Sequence, residues 1–188
     1  GVKFYRELNN VLKTNKVKYF QLRLKKISIL NLLKIAKKVK KIVKKNKVKL
    51  IINDNPIVAK MINADGCHIG QKDIDFISCR KILGKNKIVG MTCHNSKKLA
   101  LKAKKYGANY VAFGAFFKSS TKKTAFKANL EILRWAKKKI NMPIVAIGGI
   151  NNSNYNKILI NGANLIACSN YVWKNKKLDP VSAIKKFK

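Results

Sequence analysis

Acidic residues are rare in this sequence, and their positions are its first chemical signal. The 188 residues include 7 Asp and Glu, and four of these acids are Asp residues between positions 54 and 75. Asp54 and Asp73 each follow a short apolar run, as ligands of a divalent cation would at neighbouring strand ends. Mg²⁺ is typically held by one or two carboxylates and takes its other ligands from water and substrate phosphates. The same spacing suits a cap at Asp54 before Pro56 and a helix cap at Asp73, so metal binding and capping both stay open. Asp65 and Asp75 are predicted to serve turns or caps.

Cationic residues that could hold a diphosphate stand near these acids in the predicted order of strands. Gln21, Arg23 and Lys25 occupy alternate positions at the end of the first apolar run. A strand that continued through them would point all three to one side. Arg23 is one of only four Arg residues in the chain, whereas Lys25 and Lys122 belong to a large population of lysines. Basic side chains of this kind bind phosphate oxygens through charge-assisted hydrogen bonds.

Two other features predict phosphate binding or proton transfer. Gly148 and Gly149 follow an apolar run, and such a turn lets backbone N–H groups approach a phosphate. Ser169 and Asn170 follow the next run and would complete that site. The two histidines, His68 and His94, are candidates for a general acid or base, although a structural histidine bonded to a neighbouring strand end is the favoured interpretation.

Short apolar runs alternate with amphipathic, Lys-rich stretches, which predicts parallel strands joined by helices. The predicted strands cover residues 19–24, 48–52, 66–69, 88–91, 110–113, 144–147 and 165–168. Their nearly continuous apolar character is typical of strands covered on both faces. Residues 1–12 read as a helix, 37–49 as the solvated face of another, and 97–106 as a third. The sequence therefore predicts a single TIM (β/α)₈ barrel domain over residues 1–188, with its first strand upstream of Gly1.

The composition limits the classes of protein that this chain can belong to. Its 43 Lys and Arg residues give a formal net charge of +36, and nearly all of them are Lys scattered along helix-like stretches without interleaved aromatic residues. This pattern favours compositional drift over a dedicated nucleic-acid surface, although anionic substrates would be attracted. No apolar run approaches the ~20 residues of a membrane span. Cys67, Cys79, Cys93 and Cys168 form no zinc spacing, and they predict reduced, buried thiols in a cytoplasmic protein.

Six segments of the chain resemble thiamine-phosphate synthases, in order and at similar spacing. They are QLRLK at 21–25, INDNPIVAKMINADGCHIGQKD at 51–73, GMTCHN at 90–95, GANYVAFGAFFKSSTKK at 107–123, PIVAIGGI at 143–150 and GANLIACSN at 162–170. The resemblance implies a TIM barrel and a transferase of thiamine biosynthesis. That reaction joins hydroxymethylpyrimidine diphosphate to thiazole phosphate and yields thiamine phosphate and pyrophosphate. The family mechanism is dissociative, so no side chain is expected to act as a nucleophile or base.

The resemblance also implies roles for the matching residues. The pyrimidine diphosphate would be held by Gln21, Arg23, Lys25, Asn53, Thr92 and Lys122. Mg²⁺ would be bound by Asp54 and Asp73. The thiazole phosphate would be contacted by Ser119, Ser120, Thr121, Gly149, Ser169 and Asn170.

The chain departs from the family pattern at several of these segments. Leu24 stands where an acid is usual, and Asn55 stands where Arg is common. Thr92 and Asn170 each stand where Ser is usual or common. Lys118 and Ser119 replace a Pro-Thr pair.

Three other interpretations remain. A thiazole tautomerase of the same superfamily would keep the barrel and the phosphate site but would not expel pyrophosphate. A basic nucleic-acid-binding protein and a decayed, inactive barrel are the other two. The synthase is favoured by the joint presence of Arg23, Lys25, Asn53, Asp54, Asp73 and Lys122. Its expected partners are small-molecule substrates, with no specific nucleic acid, no membrane and possible homo-oligomers.

Overall fold

The chain alternates strands and helices as its apolar runs predict. The computed structural model describes residues 1–118 and 126–188. Its strands are β1 (Tyr19–Leu22), β2 (Lys49–Asn53), β3 (Gly66–Ile69), β4 (Ile88–His94), β5 (Tyr110–Gly114), β6 (Ile144–Ile147) and β7 (Leu165–Ala167). Its helices are α1 (Val2–Leu12), α2 (Ile29–Lys45), α3 (Pro56–Met61), α4 (Phe76–Leu83), α5 (Lys97–Lys105), α6 (Leu130–Lys139), α7 (Tyr155–Ile160), α8 (Asn170–Trp173) and α9 (Pro180–Lys185).

The strands follow one another in the sheet in chain order, from β1 to β7. The pairs β1–β2, β2–β3, β4–β5, β5–β6 and β6–β7 are all parallel. Parallel neighbours joined by crossover helices are the topology of a TIM barrel. This confirms the predicted fold class, with seven strands in the part of the chain that the structure describes.

Two compact units account for the packing of the chain. The first comprises Gly1–Val89 and Pro180–Lys185, and the second comprises Gly90–Asp179 and Lys186–Lys188. The core of the first unit includes Leu50, Ile51 and Ile52 of β2, all at most 2% exposed. The core of the second includes Val111 and Phe113 of β5, which are fully buried. Strands β2, β3 and β5 are therefore largely buried as the apolar runs predict, whereas β1 and β7 are only partly buried.

Helix α2 shows how this lysine-rich sequence still folds. Leu32, Ala36, Val39 and Val43 recur at helical spacing and are buried, while the lysines lie on the remaining surface of the helix. An apolar stripe of this kind stabilises a helix by packing against the core. The helix begins at Ser28, whose side chain accepts a hydrogen bond from the Asn31 amide. The predicted solvated face is confirmed as far as Lys45, where the helix ends.

Several strand boundaries differ from the prediction. Strand β1 ends at Leu22 rather than at residue 24, and Leu24 is 40% exposed although it is apolar. Strand β4 instead continues three residues past Met91, to His94. The apolar run marks the buried part of a strand, whereas its pairing with the neighbouring strand decides where it ends.

In the described residues, no helix has both the length and the apolar character needed to cross a membrane. The four cysteines are free thiols, and Cys67, Cys79 and Cys93 are buried, as predicted. Cys168 is only half-buried, because it follows β7, whose residues are themselves only partly buried. Burial raises the pKa of Cys93 to about 12 and that of Cys168 to about 12.

Candidate active site

The carboxyl ends of β1 and β2 bring two amide side chains of the first unit together. The register pairs Gln21 with Ile51, two residues before Asn53. Across this pair of strands, Gln21 Nε2 donates a hydrogen bond of 2.7 Å to Asn53 Oδ1. The bond orients both amides at the end of the sheet where ligands of parallel α/β proteins bind. The structure thus brings together two of the predicted substrate-binding residues.

Asp54 lies at the centre of a charged cluster that immediately follows β2. Its backbone takes a left-handed conformation with φ of 64°, and its amide donates a hydrogen bond of 2.8 Å to the His68 carbonyl. Its Oδ2 atom lies 2.6 Å from Lys25 Nζ, in an ion pair that is partly exposed. The positive charge of Arg23 also lowers the pKa of Asp54. Two of the predicted cations, Lys25 and Arg23, therefore act on Asp54, one of the two predicted metal ligands.

Asp54 and Asp73 are hydrogen-bonded to each other, and their pKa values move apart. Burial raises the pKa of Asp54, but the hydrogen bond with Asp73 and the Lys25 ammonium outweigh it and lower the pKa below its ordinary value. Burial and the hydrogen bond with Asp54 raise the pKa of Asp73, opposed by the Gly70 amide. Two adjacent carboxylates repel each other, so a cation that lies between them is stabilised. This donor set suits a hard divalent cation.

The residues that cap helices α3 and α4 test the helix-cap interpretation of Asp54 and Asp73. Helix α3 is capped by Asn55, whose Oδ1 accepts from the Val58 amide at 2.9 Å, and helix α4 is capped by Asp75. Asp73 accepts instead from the Gly70 amide at 2.8 Å. Capping by Asp54 or Asp73 is therefore wrong.

The predicted cap role is confirmed for Asp75, whereas Asp65 bonds to the start of β2, which is distant in sequence, and not within a turn or to a helix start. Asp65 Oδ2 accepts from the Leu50 amide at 2.8 Å, and Asp75 Oδ1 accepts from the Ser78 amide at 3.1 Å. In the described residues, no group of three or more His, Cys, Asp or Glu side chains is arranged to hold a metal ion. Any cation bound here would thus take most of its ligands from water and substrate.

The alternation argument for β1 holds only in part. Because β1 ends at Leu22, Arg23 and Lys25 lie outside the strand, and strand alternation does not direct their side chains. Both nevertheless act on Asp54, through the 2.6 Å ion pair of Lys25 and the charge of Arg23. Their function as a cationic group therefore comes from the loop that follows β1.

His68 is buried in β3, with 8% of its surface exposed. Burial lowers its pKa to about 4, opposed by the charge of Asp54. Its carbonyl fixes the Asp54 backbone through the bond already described. These observations support the structural interpretation of His68, which holds the strand end that carries Asp54.

The second unit contributes a glycine turn after β6. Gly148 and Gly149 have φ of 102° and 65°, a region that favours glycine. A Cβ atom on Gly149 would lie 2.6 Å from the Lys118 carbonyl oxygen, so no larger residue fits without a shift. Asn154 Nδ2 donates to the Gly149 carbonyl at 3.0 Å and secures the turn. The turn is therefore built for close approach of the backbone, as predicted.

Three other predicted residues of the second unit, Thr92, Ser169 and Asn170, lie within or directly after strands. Thr92 lies in β4 next to an irregularity in its pairing with β5. Ser169 and Asn170 follow β7, and the Ser169 carbonyl accepts from the Trp173 amide at 2.8 Å as α8 begins. Ser119, Ser120, Thr121 and Lys122 lie outside the described residues.

One aromatic contact was not predicted from the sequence. The rings of His94, at the end of β4, and Phe126 are stacked, with centroids 4.0 Å apart. The available signal was an aromatic residue three positions after the SSTKK segment, but an isolated Phe in a chain with 8 Phe residues carries little information.

Parallel strands with helical crossovers, and strand ends that carry cations, carboxylates and a glycine turn, are typical of TIM-barrel enzymes that act on phosphorylated molecules. Residues 2–172 match the family described as thiamine monophosphate synthase. The chain therefore belongs to the thiamine monophosphate synthase family, which makes it a transferase.

Similar proteins agree with this assignment. The chain is 56% identical over 187 residues to the thiamine-phosphate synthase of Pelagibacter ubique, covering 100% of this chain and 90% of that protein. It is 40% identical to that of Clostridium acetobutylicum, covering 93% and 82%. The solved structure of a thiamine phosphate pyrophosphorylase from Pyrococcus furiosus has a TM-score of 0.86 at 26% identity, covering 97% of this chain and 86% of that one. The resemblance inferred from the sequence motifs is confirmed.

Proposed function

We propose that this enzyme joins hydroxymethylpyrimidine diphosphate to thiazole phosphate, forming thiamine phosphate and pyrophosphate with the help of Mg²⁺. Family membership and relatives named thiamine-phosphate synthase support the reaction. One observation carries the proposed role of Mg²⁺: Asp54 and Asp73 are hydrogen-bonded to each other beside Lys25. This arrangement combines ligands for a cation with a charge for a diphosphate.

Asp54 and Asp73 would hold the Mg²⁺ ion. When bound, Mg²⁺ supplies positive charge that neutralises the diphosphate leaving group. The partly exposed position of the pair leaves room for ligands from water and from phosphate oxygens. The small number of protein ligands fits a cation that arrives with its substrate.

The chain's own residues provide binding, orientation and charge on the pyrimidine diphosphate. Arg23 and Lys25, with Lys122, would hold its phosphate oxygens, and the linked amides of Gln21 and Asn53 would orient the substrate. The bond between the pyrimidine methylene carbon and the diphosphate oxygen breaks, and its electron pair leaves with pyrophosphate. The amino group on the pyrimidine ring stabilises the resulting cation. Neutralisation of the leaving group lowers the barrier to this step.

The second bond forms when the thiazole nitrogen donates its lone pair to the methylene carbon. Ser119, Ser120 and Thr121 would contact the thiazole phosphate, while its phosphate would meet the backbone at Gly149, with Ser169 and Asn170. Within the described residues, the Gly149 N–H donates no hydrogen bond and so remains available to a phosphate oxygen. Thr92 would contact the pyrimidine. No proton has to be removed to form the new bond, so the mechanism needs no general base.

The test is a product assay with both substrates and Mg²⁺, run on the natural chain and on Asp54→Asn and Asp73→Asn variants. Asn keeps the size of Asp and tolerates a left-handed backbone such as that of Asp54, but it removes the charge. We expect magnesium-dependent formation of thiamine phosphate and pyrophosphate, and a loss in kcat/KM of roughly 100-fold or more in each variant. Titration with Mn²⁺ in the presence of pyrophosphate should show weaker binding to both variants.

Asp75→Asn is the matched control. It removes a carboxylate two residues from Asp73, and Asn retains the ability to cap helix α4. Full activity of Asp54→Asn and Asp73→Asn would contradict the metal assignment. Isomerisation of the thiazole without thiamine phosphate formation would contradict the reaction and favour a tautomerase.

We also propose a cytoplasmic location. Free thiols at Cys67, Cys79, Cys93 and Cys168 support a reducing compartment. The partners proposed are small molecules, in agreement with the family.

A further inference from the structure

His94 occupies an unusual position at the carboxyl end of β4. Its backbone φ is 52°, a left-handed conformation that few residues other than glycine adopt. The pairing of β4 with β5 also shifts between Thr92 and His94. These two features turn the His94 ring out of the regular alternation of the strand. The reaction proposed above assigns no role to this ring.

The ring of His94 stacks on Phe126, where the described part of the chain resumes. Their centroids are 4.0 Å apart and the ring planes differ by 24°. Phe126 is 53% exposed, so burial in a core does not explain its position. Burial lowers the pKa of His94, which favours the neutral ring at physiological pH. A neutral ring over an exposed Phe is suited to holding it in place.

Hydrogen bonds attach the same stretch of chain to the end of β5 and to the residue after His94. The Ala115 amide donates to the Phe126 carbonyl at 3.2 Å, and the Ala128 amide donates to the Ala115 carbonyl at 2.8 Å. The Asn129 amide donates to Asn95 Oδ1 at 3.4 Å. The chain that leaves position 125 is thus tied to β4 and β5. The His94–Phe126 stack adds a contact between two side chains to these hydrogen bonds.

The chain that enters position 119 is fixed from the other side. The Phe116 amide donates to the Ile147 carbonyl at 3.2 Å, and the Phe117 amide donates to the Gly148 carbonyl at 3.0 Å. Gly149 packs against the Phe117 and Lys118 carbonyls. Residues 116–118 and 126–129 are therefore both anchored to strand ends of the second unit.

We propose that His94 is a positioning residue that acts through Phe126, fixing residues 126–129 against the ends of β4 and β5 for substrate binding. The inference rests on the proposed function, which assigns substrate contacts to Ser119, Ser120, Thr121 and Lys122. His94 supplies a flat ring for this task, so an aromatic residue without any titratable group performs it as well. An acid–base role would instead require the imidazole nitrogens.

The experiment compares His94→Ala, His94→Phe and Phe126→Ala in the product assay. Loss of one stacked ring should lower kcat/KM roughly 3- to 10-fold in His94→Ala and Phe126→Ala, as expected for an aromatic pair. His94→Phe should retain at least about half of the activity, and its pH profile should match that of the natural chain. The double variant His94→Ala with Phe126→Ala should be no worse than either single change, because both remove the same contact.

A second measurement follows the position of the chain without relying on activity. Limited digestion with trypsin, read by mass spectrometry, would score cleavage after Lys127, which is exposed. The rate of this cleavage should rise severalfold in His94→Ala and remain near the natural value in His94→Phe. Tyr19→Ala is the control, because it removes another exposed aromatic ring from the start of β1.

The outcomes are separable from those of the proposed function. If His94→Phe keeps the natural rate of cleavage after Lys127 but loses as much activity as His94→Ala, an acid–base role replaces the positioning role. If His94→Phe also raises that cleavage rate, a flat ring is not sufficient and the proposal is wrong. If His94→Ala matches the natural chain in both assays, the proposal is wrong. A natural chain that forms no thiamine phosphate would contradict the proposed reaction, while the cleavage after Lys127 would still report whether His94 holds Phe126.

Discussion

At the residue scale, Gly149 has little freedom to change. It combines a φ of 65° with carbonyl oxygens that lie 2.6 and 2.7 Å from the site of a Cβ atom. We expect Gly149→Ala to reduce the free energy of unfolding by about 1–3 kcal/mol, because strain and steric overlap add together. It should also raise the KM for thiazole phosphate more than the KM for the pyrimidine substrate. Urea denaturation and steady-state kinetics measure the two effects.

Gly84→Ala provides the comparison for that change. Gly84 has a φ of 81°, but a Cβ atom there would meet nothing within 4 Å. Its substitution should reduce stability by about 1–3 kcal/mol, because a ψ of 175° with this φ is nearly exclusive to glycine, and should leave both KM values unchanged. Equal effects of the two variants on KM would show that the turn at Gly149 has no special part in binding.

The acids show how much of the site could be predicted from residue types. Their rarity identified Asp54 and Asp73 as residues that needed an explanation. Their mutual hydrogen bond and the ion pair with Lys25 required the structure, because they depend on how two loops approach each other. The capping residues are Asn55 and Asp75, one and two positions further on. Helix starts are uncertain by a residue or two from sequence, and a cap depends on the starting residue.

At the scale of elements, helix α3 depends on its N-cap. The helix has only six residues, from Pro56 to Met61, and the Asn55 side chain accepts from the Val58 amide. We expect Asn55→Ala to lower the free energy of unfolding by about 1 kcal/mol, since a short helix has few other bonds to hold its start. Asn55→Asp should retain the natural stability, as Asp caps equally well. Urea denaturation distinguishes the two, and equal loss in both would mean that capping is not the contribution of Asn55.

The same cap gives physical meaning to a departure from the family pattern. An Arg at position 55, common in thiamine-phosphate synthases, has no acceptor atom and cannot cap the helix in this way. Asn55 therefore supplies a local stabilising bond in exchange for a cationic group near Asp54.

Strand boundaries could be predicted only approximately because they depend on pairing. Strands β3 and β6 match their apolar runs at both ends. Strand β1 stops early, and Lys26 then takes a left-handed backbone with φ of 57° that turns the chain. Strand β4 continues through Thr92 to His94 because β5 offers pairing partners there. Apolar content does not encode either effect.

At the scale of the whole molecule, the net charge of +36 should influence the kinetics. The 7 Asp and Glu residues cannot compensate the 43 Lys and Arg residues, so most lysine charge is uncompensated. Raising KCl from about 50 mM to about 300 mM should lower kcat/KM severalfold, because screening weakens the attraction of anionic substrates. The value of kcat should change much less.

The salt experiment needs a control for charge that lies away from the strand ends. A variant with Lys37→Gln, Lys98→Gln and Lys105→Gln removes three exposed charges from helices α2 and α5. Its kcat/KM should fall modestly at low salt and converge with the natural value at high salt. A kcat/KM that is independent of salt in both proteins would show that the excess charge has no effect on substrate capture.

The fold class was predictable because it depends on a pattern that covers the whole chain. Alternation of buried runs with amphipathic stretches persists through seven strands, so errors of a few residues at individual ends do not change the topology. The lysine excess does not obscure the pattern, since it falls on helix positions that face solvent, as in α2.

The left-handed backbone of Asp54 also limits which residues evolution can place there. At a φ of 64°, Asp and Asn are tolerated far better than residues with longer or branched side chains. A Glu would keep the charge but would combine a less favourable backbone with a carboxylate displaced by one methylene from Lys25 and Asp73. The common exchange of Asp for Glu is therefore unfavourable at this position. Among natural variants, Arg23 and Lys25 should be replaced more often than Asp54.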